Sequence, residues 1–326
     1  MSELHKFLFE GMPVRGMLVR LTGSWQEVLK RRAIAGEHPP ELRALLGEMS
    51  AAGVLMQANI KFNGALILQI FGDGPVKLAV TEVQPDLSFR SMAKQVGEIP
   101  EGARLEAMVN VGGKGRCAIT LDPKDKFPGQ QPYQGVVSLH GDQREPLQKI
   151  SEVLEHYMLQ SEQLDTRLVL AANDEIAAGL LIQRLPVKGE GNIEDEAGEK
   201  NEDQIGLSED FNRISILAAT LTAEELLTLD AETILRRLFW EEKVRKFEPQ
   251  VGEQAPRFAC TCSRARVGQM LKGLGREEID SVLEERGGDV ETSCEFCGMK
   301  YHFDSVDVGE LFSEGVAQSG GTGTVQ

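Results

Sequence analysis

The sequence has few cysteines, few basic residues and no long apolar run. Five cysteines in 326 residues are too few for a disulfide-rich secreted scaffold. Lys and Arg number 35 against 51 Asp and Glu, and a net charge of −16 argues against binding to nucleic acid or to anionic membranes. No apolar stretch approaches the roughly 18 residues of a membrane-spanning helix, and the first residues lack the pattern of a secretory signal. We therefore expect a cytoplasmic protein.

Motifs for nucleotide binding and for common catalytic sites are also missing. The glycine-rich segment 112–115 does not match a P-loop, and Gly72-Asp73-Gly74 lacks the third glycine of a dinucleotide-binding loop. Neither H-E-x-x-H nor G-x-S-x-G occurs, and the five histidines are scattered. We therefore predict that the protein binds no nucleotide and is not an enzyme.

Hairpin patterns dominate the first half of the chain. Strand-like segments at 65–71 and 76–83 flank the turn Gly72-Asp73-Gly74-Pro75, and segments at 105–111 and 116–121 flank the glycines at 112–115. Helical patterns occupy 41–59 and 145–160. Because hairpins outnumber βαβ units, we predict an α+β fold with mostly antiparallel sheets and packed helices.

An acidic stretch divides the chain. Residues 189–210 contain nine acidic residues and one lysine, half of the net charge, and too few apolar side chains to form a core. We predict four parts: a core domain at 1–185, an acidic linker with two apolar helices at 186–256, a small domain at 257–305 that contains four of the cysteines, and a flexible tail at 306–326.

The two helices of the linker are unusually apolar. Thr222 and Glu225 form a capping-box pattern before the first helix, and Asp230 is suited to cap the second. Their large apolar side chains are Leu221, Leu226, Leu227, Leu229, Ile234, Leu235, Leu238, Phe239 and Trp240. The simplest interpretation is that the helices dock permanently on the core domain.

Four of the five cysteines form a strong metal-binding pattern. Cys260 and Cys262 are followed, after 31 intervening residues, by Cys294 and Cys297. Two close pairs of thiols are what a tetrahedral four-cysteine zinc site requires, with one ion per chain. The segment 257–305 is too short to form a stable core alone and needs a metal or a covalent crosslink. Zinc can contribute about 10–16 kcal/mol to its folding. The fifth cysteine, Cys117, lies in a strand pattern, and we expect it to be a small buried apolar residue.

The same pairs suggest redox chemistry. Zinc holds cysteines as thiolates, which peroxide oxidises, and a sulfenic acid can condense with a neighbouring thiol to a disulfide. A disulfide is a poor zinc ligand, so oxidation expels the metal. An inert zinc ribbon is the competing interpretation, although the C-x-C spacing of Cys260 and Cys262 is unusual for one.

Both cysteine segments closely resemble the thirty-three-kilodalton chaperonin family, the redox-regulated heat-shock holdases of bacteria. The resemblance lies in CTCSRAR at 260–266 and CEFCGMKYHF at 294–303, and it extends to KFNGALILQIFGDGPVKLAV at 61–80 and YQGVVSLHGD at 133–142. In SEQLDTRL at 161–168, Asp165 stands where we expect the family to have proline.

The resemblance implies a mechanism for these residues. Cys260, Cys262, Cys294 and Cys297 are then the zinc ligands of the reduced protein, and oxidation pairs Cys260 with Cys262 and Cys294 with Cys297. Zinc release frees the apolar linker helices, and the protein, active as a homodimer, binds unfolding client proteins without ATP and prevents their aggregation.

Two other classes of function remain open. One is a constitutive zinc-ribbon adaptor for the transcription or translation machinery, which a basic patch around the ribbon would favour; none is evident. The other is a thiol–disulfide oxidoreductase that uses Cys294 and Cys297. That activity needs the C-x-x-C at the start of a helix, whereas Gly298 and the residues after it predict a hairpin.

Overall fold

The computed structural model describes residues 1–34, 36–125, 127, 129–186 and 208–313. The chain forms two compact units, Met1–Ala259 and Cys260–Gln326. Among the helices in the described ranges, none combines the length and apolar character needed to cross a membrane. Most of the predicted acidic linker segment at 189–210 falls outside the described residues.

A five-stranded antiparallel sheet forms one layer of the first unit. Its strand order is β10-β1-β2-β9-β8. The strands are β1 (Glu3–Phe9), β2 (Val14–Leu21), β8 (Thr166–Ala172), β9 (Ala177–Arg184) and β10 (Val244–Lys246). Every residue of β9 is buried, which shows that this interior strand is covered on both faces of the sheet.

A six-stranded sheet forms the second layer, in the order β11-β5-β4-β3-β6-β7. The strands are β3 (Gly64–Phe71), β4 (Val76–Val83), β5 (Ser88–Gln95), β6 (Arg116–Pro123), β7 (Tyr133–Ser138) and β11 (Arg257–Phe258). All pairs are antiparallel except β11 with β5. The predicted hairpin at 65–83 is confirmed, since Ile70 is opposite Ala79.

The first unit also contains α1 (Gly23–Ala33) and α3 (Leu105–Val109). Helix α2 (Pro40–Asn59) packs against both sheets and against α4 (Ile150–Glu162). It is buried on nearly all sides, as expected for a helix without a polar face. Gly47 permits the close approach of the first sheet, because a Cβ atom there would lie 2.4 Å from the Cβ atom of Ala172.

Three further helices cover the other face of the first sheet: α5 (Glu209–Ala219), α6 (Ala223–Thr228) and α7 (Ala231–Phe239). They form a separate apolar cluster with strands β1, β2 and β9. We call α5–α7 and this sheet face the helical cover. The predicted caps are present: Thr222 and Glu225 form a capping box, and the Asp230 carboxylate accepts a hydrogen bond from the amide of Thr233.

The second unit contains α8 (Arg264–Leu274), α9 (Arg276–Glu285), the antiparallel strands β12 (Asp289–Ser293) and β13 (Lys300–Asp304), and α10 (Ser305–Ser313). Their side chains meet in a small core. Its buried members are Leu271, Ile279, Leu283, Val290, Phe303 and Val308.

The α+β class with antiparallel sheets is confirmed, but three local predictions were wrong. Residues 105–109 form helix α3, because Leu105, Met108 and Val109 are buried at helical spacing and no strand pairs with them. The predicted tail from residue 306 begins too early, since α10 packs on the small core through Val308. The predicted linker has a third helix, α5, which begins at Glu209, within the last two residues of the acidic stretch.

Candidate metal centre

The first pair of thiols lies just before α8. Cys260 and Cys262 follow the end of the first unit, and Ser263 caps the helix by accepting a hydrogen bond from the amide of Arg266 at 3.2 Å. A capping serine has a non-helical backbone, and the C-x-C segment before it belongs to no helix or strand. The guanidinium of Arg266 donates to the carbonyl oxygen of Thr261 at 2.9 Å and fixes the residue between the two ligands.

The second pair occupies the tight turn between β12 and β13. The amide of Gly298 donates to the carbonyl of Cys294 at 2.8 Å, and the amide of Cys294 donates to the carbonyl of Met299 at 2.9 Å. Gly298 has a φ of 67°, a conformation that favours glycine. The register of the hairpin, with Ser293 opposite Lys300, closes the turn. The hairpin predicted after Cys297 is therefore confirmed.

All four sulfur atoms lie within 4.8 Å of one another. Cys260 Sγ is 3.7 Å from Cys294 Sγ, and Cys262 Sγ is 3.4 Å from Cys297 Sγ. A tetrahedral zinc site with bonds of about 2.3 Å has sulfur–sulfur distances of about 3.8 Å. Cys297 is buried and the other three are half-buried. The group can therefore hold a metal ion, and its donor set is the one that zinc prefers.

Hydrogen-bond donors surround the sulfurs. The amides of Cys297 and Phe296 donate to Cys294, and the amide of Met299 donates to Cys297. The hydroxyl of Tyr301 donates to Cys262 Sγ at 3.1 Å. Such donors orient and stabilise thiolate ligands, as expected of the residues around a metal site.

Without a cation, the thiols of Cys294 and Cys297 resist ionisation. Burial is the largest cause that raises the pKa of Cys294, and the neighbouring Cys260 raises it further, whereas the amide donors act in the opposite direction. Burial and the adjacent thiols raise the pKa of Cys297 in the same way. A bound cation would therefore favour the thiolate forms of Cys294 and Cys297.

Arg264 ties this site to the core of the second unit. Its guanidinium lies 4.3 Å from the ring centroid of Phe303, donates to the carbonyl of His302 at 2.5 Å and pairs with Asp307 at 2.6 Å. Sequence patterns did not indicate the roles of Arg264 and Tyr301, because both depend on how the helix and the hairpin face each other. His302 is exposed and close to Asp289, outside the four-cysteine group.

Cys117, the fifth cysteine, is not part of the four-cysteine group. It is wholly buried in β6 of the first unit, and burial raises the pKa of its thiol to about 12. The thiol is therefore protonated at neutral pH and shielded from oxidants. The predicted role as a buried apolar residue is confirmed.

The fold and the site define a two-unit α+β protein with a small C-terminal module that can bind a metal through four cysteines. The family model described as Hsp33 protein matches residues 2–304. The chain belongs to the Hsp33 family, which confirms the resemblance drawn from the cysteine segments. The family is one of chaperones, and membership supports a chaperone function for this chain.

Named relatives agree with this assignment. The chain is 48% identical to the 33 kDa chaperonin of Chromobacterium violaceum, over 95% of this chain and 94% of that protein. It is 42% identical to the 33 kDa chaperonin of Methylobacillus flagellatus, over 98% and 97% respectively. Among solved structures, the 33 kDa chaperonin of Thermotoga maritima matches with a TM-score of 0.71 over 97% of this chain and 99% of that chain. At 20% identity, this last likeness shows the fold.

Proposed function

We propose that the protein is a redox-regulated, ATP-independent holdase that acts as a homodimer in the cytoplasm. It is zinc-bound and inactive when reduced, and disulfide formation with zinc release activates it for unfolding client proteins. The observation that carries this proposal is the group of four thiols, within 4.8 Å of one another, in a unit with a very small core.

The ligand set proposed for zinc is Cys260, Cys262, Cys294 and Cys297. When bound, zinc holds the four sulfurs as thiolates and links the segment before α8 to the β12–β13 hairpin. Six buried apolar residues form the remaining core of the unit, and a core of this size rarely stabilises a fold alone. Loss of the thiolate ligands therefore removes most of the stability of the second unit.

Oxidation acts on the thiolates themselves. A thiolate attacks hydrogen peroxide; a sulfur–oxygen bond forms, the oxygen–oxygen bond breaks and hydroxide leaves. The second thiolate then attacks the sulfenic sulfur, a disulfide forms and the oxygen departs as hydroxide or water. One peroxide is reduced for each disulfide, so the pairs Cys260–Cys262 and Cys294–Cys297 consume two. The resulting disulfides no longer offer thiolate ligands.

The helical cover is the surface proposed to be released. Ile234, Leu235 and Leu238 of α7 are each at most 4% exposed against the sheet. Helices α6 and α7 have six and nine residues, lengths that are unstable as isolated helices in water. Their helical structure therefore depends on docking against the sheet, although their N-caps lower the free-energy cost of forming the helices.

Release would expose two apolar faces together. The sheet side carries Phe7, Phe9 and Leu180, which are at most 2% exposed beneath the helices. Large apolar surfaces of this kind bind other unfolding chains.

Trp240 is 74% exposed, so it is not part of the docked face and differs from the other residues of the predicted apolar set. The covalent route from α7 to Cys260 passes through β10 and β11.

Neither alternative function gains support from the site. In the described residues 260–313, acidic residues outnumber basic ones by eleven to six, which disfavours an adaptor that binds nucleic acid. Cys294 and Cys297 lie in a hairpin turn, whereas a thiol–disulfide oxidoreductase uses a C-x-x-C at the start of a helix.

Light scattering of a heated client protein tests the proposal. Equal amounts of reduced, zinc-loaded protein and of peroxide-treated protein are added without ATP. We expect the oxidised form to suppress aggregation and the reduced form to leave it unchanged. Equal protection by both forms, or by neither, would contradict the proposed switch.

A further inference from the structure

Tyr301 connects the hairpin to the opposite half of the four-cysteine group. It lies on β13, four residues after Cys297, and its hydroxyl oxygen is 3.1 Å from Cys262 Sγ. Its ring packs against the small core of the second unit. The ring is thus held by packing while the hydroxyl reaches a sulfur that belongs to the C-x-C segment.

The donors to the other half of the group are different in kind. Cys294 and Cys297 receive hydrogen bonds from backbone amides of their own turn, which the fold of the hairpin supplies whatever the side chains are. The hydrogen bond to Cys262 comes from a side chain. It is therefore a contact that a single substitution can remove without a change to the backbone.

We propose that Tyr301 is a positioning residue of the four-cysteine centre. Its hydroxyl holds Cys262 Sγ in the ligand geometry and protects that sulfur from oxidation. The inference rests on the proposed function, since it assumes that the four sulfurs bind zinc and react with peroxide. The packed ring limits the positions of the hydroxyl and, through it, those of the sulfur.

The chemical effect follows from the charge on a thiolate. The phenol hydroxyl of Tyr301 donates its hydrogen to Cys262 Sγ. This donation withdraws electron density from the sulfur, and a less electron-rich thiolate attacks peroxide more slowly. Donors beside a metal ligand typically change metal affinity by about 10–100-fold.

The variant Tyr301→Phe removes the hydroxyl and keeps the ring. In the full-length zinc-loaded protein, competition with a chromogenic chelator should show zinc affinity at least about tenfold weaker than in the parent. Under dilute peroxide, time-resolved peptide mapping should show that the disulfide Cys260–Cys262 forms faster, with a much smaller change for Cys294–Cys297. Tyr133→Phe is the matched control, because Tyr133 is exposed in the first unit.

A spectroscopic measurement separates positioning from a general loss of stability. In the cobalt-substituted protein, the sulfur-to-cobalt charge-transfer band should move to longer wavelength in Tyr301→Phe, because the thiolate has lost a donor. Tyr133→Phe should leave the band in place. Circular dichroism of the same samples verifies that the variant is folded.

The outcomes distinguish this inference from the proposed function. If the parent releases zinc under peroxide but Tyr301→Phe has the same zinc affinity, band position and disulfide kinetics, the role of Tyr301 is refuted and the redox switch stands. If the parent neither binds zinc nor forms disulfides, the proposed function fails first. Equal acceleration of both disulfides with an unchanged band also refutes the inference, because it indicates a general loosening of the unit.

Discussion

Cys262 Sγ lies 3.4 Å from Cys297 Sγ, so a close sulfur contact joins the two halves of the four-cysteine group. The contact between Cys260 and Cys294, at 3.7 Å, also crosses between the halves. A disulfide across the halves would staple the second unit much as a metal does. Disulfides within each half would leave the halves unconnected. The disulfide pairing therefore decides whether oxidation destabilises the second unit or keeps it folded.

The first prediction concerns this pairing. Peroxide treatment with mild heat should give Cys260–Cys262 and Cys294–Cys297, because each short loop keeps its two thiols together once the ligand geometry is lost. Peptide mapping under non-reducing conditions identifies the products. Cys117 should remain a free thiol, since it is wholly buried. A main product that joins Cys262 to Cys294 or Cys297 would contradict the release mechanism.

The second prediction concerns metal content. The reduced protein should contain one zinc per chain, and Cys294→Ser should lose most of it, because the hydroxyl of serine is a poor zinc ligand. Elemental analysis of the purified proteins gives the ratio. Cys117→Ala is the control and should retain full occupancy. Undiminished zinc in Cys294→Ser would exclude this cysteine from the ligand set.

Local signals made much of the site predictable. The spacing of the four cysteines predicted the group that the structure brings together, because ligands in close pairs need only one long-range contact to assemble. The caps at Thr222 and Asp230 were predictable for the same reason, since each acts within three residues.

Other features depended on tertiary contacts. Strand β11 has only two residues and forms because it pairs with β5. Two residues are too few to show the alternating apolar pattern that predicts a strand. Asp165 lies in the loop between α4 and β8, where it is buried and pairs with Arg184 at 2.9 Å. The hydroxyl of Tyr301 reaches Cys262 only because β13 and the segment before α8 face each other.

The third prediction concerns the helical cover. Replacement of Leu235 and Leu238 by Asp should weaken docking of α7 and raise holdase activity in the reduced state, because both side chains are almost fully buried against the sheet. Aggregation assays in excess reductant measure this activity. Ile216→Asp is the matched control, since Ile216 is 68% exposed on α5. If the double variant is folded and no more active than the control, the helical cover is not the released surface.

The fourth prediction concerns pH and Glu48 in α2. Burial raises the pKa of Glu48 to about 7, and Lys149 opposes the shift. Because the folded-state pKa is above the unfolded one, the folded state binds more protons between about pH 4.5 and pH 7, and this group makes stability fall as pH rises. Glu48→Gln should remove that component, worth up to about 3 kcal/mol at pH 8.

Urea unfolding of the parent and of Glu48→Gln at several pH values measures this difference. The variant should be the more stable of the two above pH 7, and the gap should close toward pH 4.5. A difference that does not vary with pH would show that Glu48 does not titrate in this range. The comparison with the parent removes the contributions of all other titrating groups.

A redox cycle on one sample tests the central claim most directly. Zinc release and the light scattering of a heated client are followed together as the reduced protein is oxidised with peroxide and then returned to reductant with zinc. The account predicts that protection of the client rises as zinc leaves and is lost again when thiols and zinc are restored. Protection that stays constant through the cycle, or that changes without zinc release, would contradict it.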